Sequence, residues 1–419
     1  MGTVSPDGAQ RSRPWNAKKI AIVAAVLLLV GLLVLVFRGR ENLPGFSKPS
    51  ETVSPESVKL KPGPWGDVEY VPITIDAPEE LLGVKKVEEA KVEWFFKGFS
   101  RESLGKFLDH LGVSSGQRNQ LLDPRVLSNA PDGLTMAPPR EAILALSPAA
   151  LDGIYRTLGP SKVNESSKWE FLSSYLDKFR INGVSEETEA LVRKFSIVNG
   201  KFLICYCMPF VFSGVQAYPE KVALAKALTQ QKTMLLKLHV SPQTDINSLA
   251  AYWGKAFWTT DVKAILESLK ELPHGGTMDV IELLPPIPTS LLYTYPIPPS
   301  TLHGSFISKN CTWTAFNFFR DPPDSNYSNP YYVMKKIESE YFPVNSDPRY
   351  GDVVLFLTPD DFLVHAAVFV ADDIVYSKNG DNTNHPWIFT RISDLTESFS
   401  YAVPQGQSLS VFYYRNKYY

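Results

Sequence analysis

"VHAAVFVADDIVYSKNG", Val364 to Gly380, decides how the C-terminal part of the chain folds. Two apolar runs rich in β-branched and aromatic residues flank Asp372-Asp373, the pattern of two strands joined by a turn. His365 sits inside the first run, where a polar ring needs a reason to be present, and Asn379 follows the second. The two are 14 residues apart, an even number. Paired directly across a hairpin they share a face, with an odd-numbered loop centred on Asp372. A strict two-residue turn instead puts Tyr376 or Lys378 on the His365 face. Only the first register gives His365 an acceptor, so the spacing predicts a bulged three-residue loop. Ser377, two residues nearer, keeps the right parity and is the alternative acceptor.

"GDVVLFL" (Gly351–Leu357) and "SLSVFYYR" (Ser408–Arg415) read as further strands of the same sheet. Ahead of them, "NCTWTAFNFF" (Asn310–Phe319) reads as a helix with Asn310 as N-cap, and a second helix opens at Asn329-Pro330. A helix or two followed by a small antiparallel sheet is an α+β arrangement. Cys311 falls in the first turn of its helix, where unpaired N–H groups and the macrodipole lower a thiol pKa. Cys311, His365 and Asn379 are the set that thiolate attack needs: a nucleophile, an imidazole that pairs with it and protonates the leaving amine, and an amide that holds the imidazole tautomer. Each alone reads as readily as core, since free Cys is among the most buried residue types. Their joint occurrence on fitting elements favours catalysis. The backbone N–H of Cys311 is the default oxyanion donor. His303 in "LHGSF", Trp313 and Tyr376 are candidates to line a cleft.

"NCTWTAFNFF", "RYGDVVLFL" and "HAAVFVADDIVYSKNG" together resemble the core of the NlpC-type cell-wall cysteine peptidases, a branch of the papain-like superfamily. Those enzymes carry a helix-start Cys in a "DCSG"-like context, a "GD-hydrophobic" strand, and a "HVGIY"-like strand with the His. The resemblance covers residues 300–419. It implies a papain-like fold there, with Cys311 as nucleophile, His365 as base and Asn379 as orienting residue. It also implies hydrolysis of an amide bond, most often in peptidoglycan stem peptides, without a metal or organic cofactor. Two other classes fit the same residues: a catalytically silent papain-like binding module, and a structural cell-envelope protein.

The rest of the chain sets the context. Lys plus Arg is 42 against 44 for Asp plus Glu, a formal net charge of −2. A near-neutral chain with no basic stripe argues against a nucleic-acid partner. Residues 20–37 are 18 uncharged, almost wholly apolar residues bracketed by Lys18, Lys19, Arg38 and Arg40, long enough to span a bilayer as a helix. No small-residue cleavage site follows, so this reads as an uncleaved single-pass anchor. The basic residues of 1–19 favour a cytoplasmic tail, with the C-terminal part outside the cytoplasm (periplasmic, on the inner membrane). Residues 38–65 read as a Pro/Ser-rich linker. Residues 66–284 read as an α+β or mostly helical domain of unassigned role, with helices opened by caps at Ser100, Ser147, Ser185 and Asp245. Residues 285–299, with six prolines, read as an extended connector that admits no helix.

Elsewhere the motifs are weak. Cys205 and Cys207 in "FLICYCMPF" read as core thiols on one face of a buried strand. "GVSSG" (Gly112–Gly116) matches a nucleophile elbow, but a helical pattern precedes it and Gly112 reads as a C-cap. His110, His239, His274 and His385 lie apart in sequence with no ligand spacing, and no metal is expected.

Overall fold

The C-terminal sheet has six antiparallel strands: β1 (Tyr341–Val344), β2 (Val353–Leu357), β3 (Leu363–Ala371), β4 (Ile374–Lys378), β5 (Trp387–Arg391) and β6 (Ser410–Asn416). Their spatial order is β1-β6-β2-β3-β4-β5. Three helices belong to it: α1 (Cys311–Phe316), α2 (Pro330–Glu340) and α3 (Ile392–Ser398). This computed structural model describes residues 56–418 except 160, 256–258, 297–308, 381–382 and 405, and not the side chains of 162, 165 and 166. The tail 1–19, the apolar run 20–37, most of the 38–65 linker and His303 lie outside the described residues. Among the described residues no helix is long and apolar enough to cross a membrane.

The β3–β4 hairpin reaches the expected parity by a different route. Val368 pairs with Tyr376 and Phe369 with Val375, then the register slips so that Ala371 pairs with Ile374. Val370 is the extra residue, and the connection itself is the two-residue turn Asp372-Asp373. Asp372 takes φ 55°, a left-handed conformation that Asp tolerates better than most residues. A bulge inside the strand plus a two-residue turn therefore stands in for a three-residue loop. The bulged Val370 carbonyl accepts a buried 2.7 Å hydrogen bond from the Tyr252 hydroxyl, so the ladder's irregularity is satisfied from outside the sheet.

The two faces of the sheet bury different elements. One face, with Val353, Leu355, Ala366, Val368, Tyr376 and Trp387, packs against α1 and α2 through Ala315, Phe316, Val333 and Ile337. The other, with Val354, Phe356, Ala367, Phe369 and Val375, packs beneath α3 and the turn after it through Leu395, Phe399 and Val403. Gly351 and Asp352, ahead of β2, are structural. A Cβ at Gly351, which has φ +86°, would lie 2.1 Å from the Phe319 ring. Buried Asp352 accepts two hydrogen bonds from Arg415 (2.9 and 2.7 Å) and one from the Arg349 N–H (2.7 Å), clamping β2 to β6.

Upstream, the helices expected from Ser100, Ser147, Ser185 and Asp245 caps form with those residues as N-caps. Gly112 follows the helix Arg101–His110 at φ +73°, so "GVSSG" is a helix end rather than a nucleophile elbow.

The cores divide the chain differently from the expected boundaries of 66–284 and 300–419. Residues 77–228 hold one core of helices and two three-stranded sheets. Residues 60–70 and 234–292 share a second core with α1, α2 and the C-terminal sheet. The reason is a long-range pairing: Asp67–Ile75 lies antiparallel to Gln231–Val240 over its whole length, and only the folded chain brings those strands together. Two local expectations also change. Pro286–Leu291 is a short helix rather than extended chain, because proline in a first turn loses no helical hydrogen bond. Cys207 is not on the strand with Cys205 but is the N-cap of the helix Met208–Gly214. Both thiols are free and buried.

Tyr252→Phe should lower stability by about 1–3 kcal/mol, the cost of an unpaired buried carbonyl. The check is a lower urea midpoint at unchanged m-value.

Candidate functional site

Asn310 caps α1: its Oδ1 accepts from the Trp313 N–H (2.9 Å), and its Nδ2 donates to the Ser328 carbonyl (3.1 Å). The Thr312 hydroxyl is held between Asn310 Oδ1 (2.9 Å) and the Tyr327 carbonyl (2.8 Å). Cys311, the first helical residue, is thus fixed in backbone while its side chain stays half-exposed. One turn on, Thr314 Oγ1 accepts from the Trp387 indole N–H (2.9 Å, buried). Trp387 pairs with Lys378 in register, so the start of α1 lies at the end of the sheet that carries Ser377 and Asn379.

His365 lies on the other face. It pairs with Phe356 across β2–β3, its ring stacks on Phe399 at 4.4 Å and 22°, and it is 0% exposed. Its Nε2 bonds Ser377 Oγ at 2.7 Å, and Ser377 Oγ donates to Asn379 Oδ1 at 2.9 Å. Since the serine proton goes to the amide oxygen, the serine lone pair receives Nε2–H. That fixes the neutral tautomer and leaves Nδ1 as the basic atom. Nδ1 is buried with no hydrogen-bond partner among the described residues, so the Cys311 thiol does not bond it.

The structure therefore joins His365 to both candidate acceptors in series, Ser377 directly and Asn379 through it. Continuing the β3–β4 register places Asn379 opposite His365, as the spacing predicts, but β4 ends at Lys378 and the serine fills the gap. Cys311 is brought to the same end of the sheet, without a hydrogen bond to Nδ1 of the imidazole. Trp313 and Tyr376 are core residues, 4% and 1% exposed. Tyr376 packs edge-on against Phe318 at 5.5 Å.

A concavity of about 620 Å³ opens beside this group, between Lys168–Tyr175 of the first core and the segments Asn379–Gly380 and Ser398–Tyr401. Its rings are Phe171, Tyr175, Phe202, Phe399 and Tyr401. Tyr401 is within electrostatic reach of Cys311: burial raises its pKa most, with Glu170 and Cys311 adding to the rise. His385, also on the wall, was not legible from spacing. It folds back against the Asn379–Gly380 turn, and Gly380 at φ +102° leaves 3.2 Å between a Cβ position and His385 Nδ1. Neither Phe399 nor Tyr401 carried a sequence signal either, since both come from a turn across the sheet face. Among the described residues no group of three or more His, Cys, Asp or Glu could hold a metal ion.

Burial pushes the His365 pKa from 6.5 down to about 3, with Lys378 and then His385 adding to the fall. Burial and Lys378 likewise push His385 to about 4. No family model, no curated protein and no solved structure matches this chain.

Two outcomes follow from this geometry. Ser377→Ala strands a buried imidazole N–H and should cost about 1–3 kcal/mol, read as a lowered thermal midpoint. For pH, the folded-state imidazoles bind protons more weakly than the unfolded ones. Their contribution is fully present above 6.5 and is lost as pH falls through 6.5 towards 3. Unfolding midpoints measured between about pH 7 and pH 4 should fall less steeply in His365→Gln than in the wild type.

Proposed function

We propose that this chain is a cysteine hydrolase of amide bonds, acting through an acyl-enzyme on Cys311 with His365 as base. The observation that carries the reading is the His365–Ser377–Asn379 relay. A buried imidazole with Nε2–H tied down and Nδ1 unpartnered among the described residues offers a nitrogen available as base, at the sheet end where α1 presents a partly exposed cysteine. In the reaction Nδ1 takes the thiol proton as the sulfur attacks the amide carbon, and the Cys311 N–H stabilises the oxyanion. Nδ1–H then protonates the departing amine, and a water activated by the same nitrogen hydrolyses the thioester. Ser377 and Asn379 are positioning residues, keeping the tautomer right for both steps.

The resemblance to NlpC-type peptidases supports a papain-like C-terminal domain and a peptidoglycan peptide as substrate. The apolar run 20–37 supports a single-pass inner-membrane anchor with a cytoplasmic tail and the remainder in the periplasm. The cleft, rimmed by aromatic rings, suits a peptide laid between the two cores.

A second reading draws on a specific observation. His365 is fully buried and does not bond the thiol, which suits a silent module that binds wall peptides without cleaving them. Product analysis separates the two. Incubated with peptidoglycan fragments, the full chain should release a peptide whose mass marks a cut amide bond, and Cys311→Ala and His365→Ala should each slow that release by about 10²–10⁴-fold. Fragments bound but left uncut by the wild type sink the hydrolase and leave the binding module.

A further inference from the structure

We propose that the turn after α3, carrying Phe399 and Tyr401, is a lid over His365, held shut by the hairpin around Lys201 and Phe202. This rests on the hydrolase reading for what it regulates, but the lid itself rests on contacts.

His365 has no exposed surface, and among the described residues Phe399 stacks on its ring at 4.4 Å while Phe356 packs beside it at 5.7 Å. Phe399 is braced by Tyr401 (6.1 Å), and Tyr401 meets Phe202 edge-on (6.2 Å, 89°). Beside this, Lys201 Nζ bonds Glu397 Oε1 at 2.6 Å. Lys201 and Phe202 belong to the hairpin Ser196–Asn199/Phe202–Cys205, which is built into the core of residues 77–228 through Ile197, Leu203 and Cys205. The lid belongs to the C-terminal sheet. The clasp therefore joins two separately packed cores, and both of its halves stand on the cleft or at its rim.

The hinge follows from burial. Leu395 anchors α3 at 1% exposure, whereas Ser398 and Phe399 are only partly buried and Tyr401 is 53% exposed. Swinging Phe399–Tyr401 leaves the Leu395 anchor in place, and it opens the imidazole to the cleft. Phe399 and Tyr401 also line the cleft, so a peptide chain entering it displaces the same rings. The closed form is an autoinhibitory contact, and occupancy of the cleft is what opens it.

The test uses the full chain and two readouts: deuterium exchange at the imidazole C2 of His365 by mass spectrometry, and iodoacetamide labelling of Cys311. Glu397→Gln removes the ion pair with little risk to folding, and Phe202→Ala removes the aromatic half. Each should speed exchange at His365, Glu397→Gln by about twofold to fivefold and Phe202→Ala by about twofold to tenfold. Labelling of Cys311 should rise in parallel. Exchange at His365 unchanged in a Glu397→Gln protein that retains its near-UV circular dichroism, and unchanged again in Phe202→Ala, overturns the lid. If His365 opens but Cys311 labelling does not depend on His365, the lid stands and the hydrolase reading falls.

Discussion

One extra residue in β3 decides what this sheet can do. Side chains alternate along a strand, so a regular two-residue hairpin at Asp372-Asp373 would put Tyr376 and Lys378 on the His365 face. The bulge at Val370 flips that parity. It places Ser377 and Asn379 with His365, and sends Tyr376 into the core beneath α1. A bulge leaves a backbone group out of the ladder, and here Tyr252 supplies the missing partner. The geometry of the candidate site thus depends on a side chain from the helix Ile246–Trp253, outside the sheet.

The second constraint is electrostatic. A charged imidazole in an apolar pocket is costly, and Lys378 adds like-charge repulsion. His365 is therefore neutral in the closed form, and its serine partner selects which nitrogen is basic. A thiolate–imidazolium pair is not the resting state of such a site. Lifting Phe399 would rehydrate the ring, weaken the desolvation and raise its pKa towards a useful range. Burial and activation are then opposite settings of one turn.

Much of the local structure was legible in the residues. Caps at Ser100, Asp245 and Asn310, the helix opened by Pro330, and the apolar strands around His365 follow from short-range chemistry. Strand parity puts Asn379 and Ser377 on the His365 face, although the extra residue sits in the strand and not in the loop. What was not legible is long-range. Nothing local announces that Gln231–Val240 returns to pair with Asp67–Ile75, and that pairing redraws the domain boundary. His385, Phe399 and Tyr401 reach the site from a loop and from the turn that covers the His365 face of the sheet, so no spacing in the sequence relates them to His365. Trp313 and Tyr376 read as cleft walls because an aromatic beside a candidate nucleophile fits either role. Only the packing assigns them to the core.

The central claim is that Ser377 and Asn379 hold a neutral His365 with the proton on Nε2 and the lone pair on Nδ1. Nitrogen-15 NMR of histidine-labelled full chain near neutral pH tests this directly, with the His365 signals assigned by their loss in His365→Gln. The account predicts a protonated Nε2 and an unprotonated Nδ1, the pattern disturbed in Ser377→Ala. A proton on Nδ1, or an imidazolium in the closed protein, contradicts it.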